Sequence, residues 1–209
     1  MRLTVKICGL TTLADAREAV KAGADYVGFV FFPSSLRCVP VEACAWIRTV
    51  EGAGRVGVFR NQSESFVRRI RDEARLDLVQ LHGDEPPELC ARLGGRDQVV
   101  KAIPVSEVPN WFTVLEYARV ARILFDTASP TGGGTGRTFN WRLVAHPPQP
   151  LPFLLAGGLR PDNVAAAIAA VKPAGVDVAT GVEASMGKKD HALVRAFVAA
   201  VRAAEGEKP

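Results

Sequence analysis

The stretch DLVQLHGDEPPELCARLGGRDQVVKAI, Asp77 to Ile103, sets two short apolar runs on either side of a helical pattern. The runs Asp77–Gly83 and Gln98–Ile103 have strand length and draw on Val, Leu and Ile, while Pro87–Leu93 between them reads as a helix. A strand, a helix and a second strand in close succession predict a parallel pair of strands joined by a helical crossover.

The same unit recurs in both directions along the chain. Further strands are expected at Leu3–Gly9, Asp25–Phe31, Arg55–Phe59, Ala121–Asp126, Leu151–Gly157 and Gly175–Thr180, which brings the total to eight. Helical patterns over Leu13–Ala22, Val41–Val50, Ser63–Ala74, Val108–Tyr117, Asp162–Val171 and Asp190–Ala204, with a short one near Asn140–Ala145, separate and follow them. Thr12 with Asp15 suggests a capping box, Ser63 an N-cap and Pro161 a first-turn proline. Strands alternating with helices predict an α/β fold. Eight such units allow closure into a single (βα)8 TIM barrel of parallel strands, with a doubly wound open sheet as the structural rival. The barrel is favoured. One domain over residues 1–209 is expected, with 205–209 as a frayed tail.

A hydrophobic content of 48% is enough for a large core, and the net charge of +4 is spread without a basic run longer than a pair. That distribution is too diffuse for a nucleic-acid face, and it suits either an anionic small ligand or an ordinary soluble surface. The opening residues lack the pattern of a secretory signal, and no window has the length of a membrane span, so a cytoplasmic location without membrane attachment is expected. Cys8, Cys38, Cys44 and Cys90 show no C-x-x-C spacing and the three histidines are scattered, so free thiols are expected rather than disulfides or a metal site.

In a barrel, reactive groups belong where strands end, because the loops that follow form the C-terminal mouth. The period of two in the first strand puts Val5 and Ile7 on the helix side and Lys6 and Cys8 inside, and in the sixth it puts Ile123 and Phe125 outside with Leu124 and Asp126 inside. Cys8 and Asp126 would then face one another across the opening. Alone, Cys8 reads as a small buried hydrophobe and Asp126 as a loop cap. Glycine-rich runs nearby strengthen the functional reading: Gly132–Gly136 after the sixth strand, Gly157–Gly158 after the seventh and Thr180–Gly181 after the eighth. Amide-rich loops at the last strands of a barrel suit a phosphate. Arg37 after the second strand is either a carboxylate clamp or a surface cation, and His82 is either a substrate contact or part of a polar layer. The run TGGGTGR, residues 131–137, is not a P-loop, since Thr131 stands where the first glycine is needed and Arg137 where the lysine is. It fits no G-x-G-x-x-G frame either.

With these residues marked, the chain resembles the phosphoribosylanthranilate isomerase family. VKICGLT with Cys8, GADYVGFVF, SSLRCV with Arg37, LVQLHGDE, LFDTASPTGGGTGRTFNW with Asp126, LLAGGLRPDNV and GVDVATGVEASMGKKD are similar to that family's blocks, in its order, from Val5 to Asp190. Leu36 replaces the family's usual proline, Asn140 its aspartate and Thr180 its serine; the catalytic positions match. The resemblance implies a tryptophan-pathway isomerase that converts N-(5-phosphoribosyl)anthranilate to 1-(2-carboxyphenylamino)-1-deoxyribulose 5-phosphate by an Amadori rearrangement; a monomer and a homodimer are both compatible with the apolar outer helix faces. It implies Asp126 as general acid, Cys8 as general base, Arg37 on the anthranilate carboxylate, and Gly133, Gly134, Gly157, Gly158, Thr180 and Gly181 around the phosphate. No cofactor or metal is implied, because acid–base chemistry suffices for an aldose-to-ketose shift. The chemistry asks Asp126 to hold a proton despite an ordinary value of about 3.9, and Cys8 to lose one below its ordinary value of about 8.5. Rival readings are the histidine-pathway isomerase of the same reaction type, which works with two aspartates, and a non-catalytic phosphate-binding barrel.

Overall fold

The computed structural model describes residues 2–129, 136 and 138–206. Eight parallel strands follow one another round a closed ring: β1 (Thr4–Ile7), β2 (Tyr26–Val30), β3 (Gly54–Phe59), β4 (Leu78–Leu81), β5 (Val99–Val105), β6 (Arg122–Thr127), β7 (Phe153–Leu155) and β8 (Gly175–Val178). The open-sheet alternative is excluded by the pairing of the first strand with the last, in register from Thr4 opposite Gly175 to Ile7 opposite Val178. Around the ring lie α1 (Leu13–Lys21), α2 (Cys44–Ile47), α3 (Glu64–Ala74), α4 (Pro87–Arg92), α5 (Trp111–Val120), α6 (Val164–Val171) and α7 (His191–Gly206).

Strand alternation sorts the side chains into layers. Val5, Ile7, Phe29, Leu81, Ile123 and Phe125 are buried between barrel and helices. Val56, Leu78, Val100, Ala102, Leu124 and Ala156 fill the barrel interior. Complete burial of such a side chain contributes about 1.5–3 kcal/mol relative to exposure, so the two layers hold each strand in its register. A third, smaller group of Cys8, Val30, Phe32 and Val58 forms the apolar floor of the mouth.

Local signals explain most helix starts. Thr12 accepts a hydrogen bond from the Asp15 amide, and Ser63 accepts one from Phe66. The Asp15 carboxylate does not complete a capping box: its Oδ1 lies 2.7 Å from His191 Nε2, so it ties α1 to the start of α7 instead. α5 begins three residues later than the pattern suggests, because Asn110 caps it by accepting from the Phe112 and Thr113 amides. Pro161 stands in the turn before α6 rather than in its first turn. Near Asn140 there is a single 3-10 turn, Trp141–Val144. Residues 205 and 206, expected in a frayed tail, belong to α7, which continues to Gly206, and Glu205 accepts from the Leu3 amide at 2.5 Å and from Arg202 Nη1 at 2.6 Å; residues 207–209 of that expectation lie outside the described residues.

The helical and strand pattern of the first seven units gives no hint of a short hairpin after β8. Its strands, β9 (Glu183–Ser185) and β10 (Lys188–Lys189), pair antiparallel beside the mouth. A hydrogen bond of 2.6 Å from Thr11 Oγ1 to the Gly187 carbonyl fastens the hairpin turn to the loop after β1.

Candidate active site

At the C-terminal end of the strands lies a cleft of about 340 Å³. Cys8 and Asp126 both line it, from the inner faces of β1 and β6. Arg37, His82, Gly157, Gly158, Thr180 and Gly181 line the same cleft. Gly133 and Gly134 lie outside the described residues.

Asp126 is held from two sides. Its Oδ1 accepts the Thr127 amide at 2.7 Å, and its Oδ2 lies 3.3 Å from His82 Nε2. The other ring nitrogen of His82 is 3.2 Å from Gln80 Nε2, which links the inner side chains of β4 to the end of β6.

Cys8 sits above a buried ion pair. Lys6 Nζ and Asp177 Oδ2 are 2.9 Å apart, with side chains 2% and 8% exposed, and Asp177 also lines the cleft. Burial works against the charge on Lys6, but Asp177 and Cys8 outweigh it and hold the ammonium protonated above the ordinary lysine range. For the Cys8 thiol the balance goes the other way. Burial among Val30, Phe32 and Val58 pushes it up from the ordinary thiol value; Lys6 and Lys189 pull it down only in part, and Asp177 adds to the rise. The expectation of a lowered Cys8 value is thereby corrected: desolvation exceeds the attraction of the neighbouring ammonium groups. Gly28 on β2 makes room for this group, since a Cβ there would stand 2.8 Å from Cys8 Sγ and 3.1 Å from Lys6 Cε.

Arg37 is neither a free clamp nor a surface cation, being only 7% exposed. Its Nε and Nη2 donate to Glu183 Oε1 and Oε2 at 2.7 and 2.8 Å, and Nη2 also donates to Thr180 Oγ1 at 3.1 Å. Lys189 Nζ donates to Glu183 Oε1 at 3.0 Å and to the Ala179 carbonyl at 2.9 Å. A clamp made by Nε and Nη2 is therefore taken up inside the protein, which leaves Nη1 as the guanidinium nitrogen outside these bonds.

The rim after β7 and β8 is built on glycine for steric reasons. Gly157 has φ of 88° and Gly158 of 64°, both in the left-handed region. At Gly181, a Cβ would collide with the carbonyl oxygen of Leu159, so the two loops approach more closely than any other residue permits.

The profile of the N-(5'-phosphoribosyl)anthranilate (PRA) isomerase family matches residues 5–200. The chain belongs to the phosphoribosylanthranilate isomerase family. Among curated relatives, an N-(5'-phosphoribosyl)anthranilate isomerase of Geobacter metallireducens is 47% identical over 204 residues, covering 95% of this chain and 98% of the relative. Among solved structures, mutually generated monomers of the dimeric phosphoribosylanthranilate isomerase of Thermotoga maritima superpose with a TM-score of 0.86 at 40% identity, covering 96% of this chain and 99% of that one. A phosphoribosyl anthranilate isomerase in complex with reduced 1-(o-carboxyphenylamino)-1-deoxyribulose 5-phosphate gives a TM-score of 0.83 at 38% identity, covering 96% and 99%.

Within this phosphoribosylanthranilate isomerase barrel, Asp177, Glu183 and Lys189 are the site residues that pattern reading passed over. Alternation along Gly175–Val178 points Asp177 inward with the same logic that placed Cys8 and Asp126. Glu183 and Lys189 carry no such signal, because their burial depends on the hairpin folding back over the mouth.

Proposed function

We propose that this barrel acts as one catalytic domain and converts N-(5'-phosphoribosyl)anthranilate to 1-(2-carboxyphenylamino)-1-deoxyribulose 5-phosphate. The observation that carries the reading is the convergence of Cys8 and Asp126 on one cleft, at the inner ends of two separate strands, in a chain of this family. Asp126 donates a proton to the ribose ring oxygen as the nitrogen lone pair opens the ring to an iminium ion. The Cys8 thiolate then removes the proton on C2, and the electron pair returns toward nitrogen to leave an enolamine. Tautomerisation of its C2 hydroxyl to the carbonyl, with protonation at C1, yields the ketose. An acid and a base on different strands, in environments of different polarity, suit a reaction that needs both at one pH.

Supporting the assignment of the two ends of the substrate is the chemistry of the rim. Gly157, Gly158, Thr180 and Gly181 bring backbone together from two loops in the way a phosphate requires, and Arg37 beside them offers a cation for the ring carboxylate. Gly133 and Gly134 belong to the same phosphate proposal. A small-molecule substrate, a cytoplasmic setting and a monomer or homodimer complete the reading. Among the described residues, no helix is long and apolar enough to cross a membrane.

Turnover tests it. With the labile substrate generated in the cuvette, its fluorescence is expected to disappear when the purified protein is added without metal or nucleotide. Absence of turnover by folded protein, alongside turnover of the aminoimidazole substrate, would support the histidine-pathway rival. Arg37→Ala is expected to raise KM about tenfold or more while changing kcat less, as follows from losing a charge-assisted contact to a substrate group remote from the reacting carbons. Initial-rate kinetics over a range of substrate concentrations separate the two parameters.

A further inference from the structure

We propose that Glu183, on the hairpin strand β9, is a positioning residue that sets the orientation of the Arg37 guanidinium for the carboxylate of the substrate. The inference rests on the reading of Arg37 given above. Its ground is geometric: both carboxylate oxygens of Glu183 hold the guanidinium, at 2.7 and 2.8 Å, in the planar fork that fixes direction as well as distance. Thr180 accepts from the same Nη2 at 3.1 Å, so the rotation of the guanidinium is determined by three bonds.

The surroundings make the arrangement stiff. The side chains of Arg37, Glu183 and Lys189 are 8%, 3% and 0% exposed, so water does not compete for their hydrogen bonds. Two basic groups stand against one carboxylate; burial pulls the Lys189 ammonium below the ordinary lysine range, and Glu183 opposes that shift. Burial opposes the charge on Glu183, but hydrogen bonds and charges from Arg37 and Lys189 overcome it and hold the carboxyl below its ordinary value. The pair Glu183 and Lys189 comes from facing positions of β9 and β10, which means that the hairpin itself delivers both groups.

The test compares two probes, reduced 1-(o-carboxyphenylamino)-1-deoxyribulose 5-phosphate and its phenylamino counterpart without the ring carboxylate. Their affinity ratio, measured by calorimetry, reads only what the carboxylate contributes. In Glu183→Gln and in Glu183→Asp, which keeps the charge but not the reach, the ratio is expected to fall about 10- to 100-fold, the scale on which ångström-sized misplacement is felt. Affinity for the phenylamino probe is expected to stay near that of the parent, whereas a loss of general structure would weaken both probes together. If Arg37→Ala collapses the ratio and both Glu183 variants retain it, the positioning role is overturned and the Arg37 reading stands. A ratio unchanged in Arg37→Ala overturns both. Should Glu183→Gln fail to fold, the Glu183→Asp ratio decides alone.

Discussion

Asp126→Asn is expected to lower kcat by about 10²- to 10⁴-fold, the usual contribution of a positioned acid, with KM changed little. Asparagine matches the carboxyl group in size and keeps an oxygen for the Thr127 amide, which Asp126 accepts at 2.7 Å, so the end of β6 should hold its shape. The substitution removes only the proton that opens the ribose ring. Steady-state kinetics check this, and near-normal turnover by the variant would take Asp126 out of the acid role and turn attention to His82, 3.3 Å away.

Cys8→Ala is expected to cost kcat on the same scale, about 10²- to 10⁴-fold, because an alanine methyl fits among Val30, Phe32 and Val58 but accepts no proton. The pH dependence gives a second and independent reading. The reactive form is the thiolate, and burial pushes the Cys8 thiol above its ordinary value. The rising limb of the parent profile is therefore displaced toward alkaline pH: activity should still be climbing beyond about pH 8.5, where a solvated thiol would be half ionised. A profile already flat below neutrality would mean that substrate binding lowers the thiol far more than Lys6 and Lys189 do in the free protein, or that another base acts.

Much of this site was legible in the sequence because it obeys strand alternation. Once β1 and β6 are strands ending near Cys8 and Asp126, the period of two and the rule that barrel mouths lie at strand C-termini place both side chains in the cleft. The eight-strand order was legible for a similar reason, since each apolar run is short and bounded by turn residues. Arg37 was left between a clamp at the mouth and a surface cation; it lines the cleft, but its state was not legible, since a guanidinium looks free until the residue that pairs with it is placed in space. Glu183 lies 146 positions away and reaches it only because a hairpin folds over the rim. The electrostatics of Cys8 were misread because charge is visible in a sequence while desolvation is not. Catalysis asks for a lowered thiol, and burial against the apolar floor contributed by β2 and β3 acts against it more strongly than Lys6 acts for it. A helix start erred where an unread side chain took the cap, as Asn110 does for α5; Asp15, turned to His191, left the start of α1 where the pattern put it.

The pairing of β1 with β8 has a consequence for how the protein comes to be active. Lys6 and Asp177, which lie directly beneath the thiol, are separated by 171 positions in the chain. Lengthening a loop adds only about 0.6 kcal/mol for each doubling in equilibrium terms, yet closure must precede every contact it brings together. A ribosome-bound chain that has emerged as far as β6 already contains Cys8, Arg37 and Asp126, but neither the ion pair under the sulfur nor the carboxylate that aims the guanidinium. Both groups that organise the mouth from below and beside it, Asp177 under the sulfur and Glu183 against the guanidinium, are thus supplied by the last strand and its hairpin, so the contacts of Lys6 and Arg37 exist only in the closed ring.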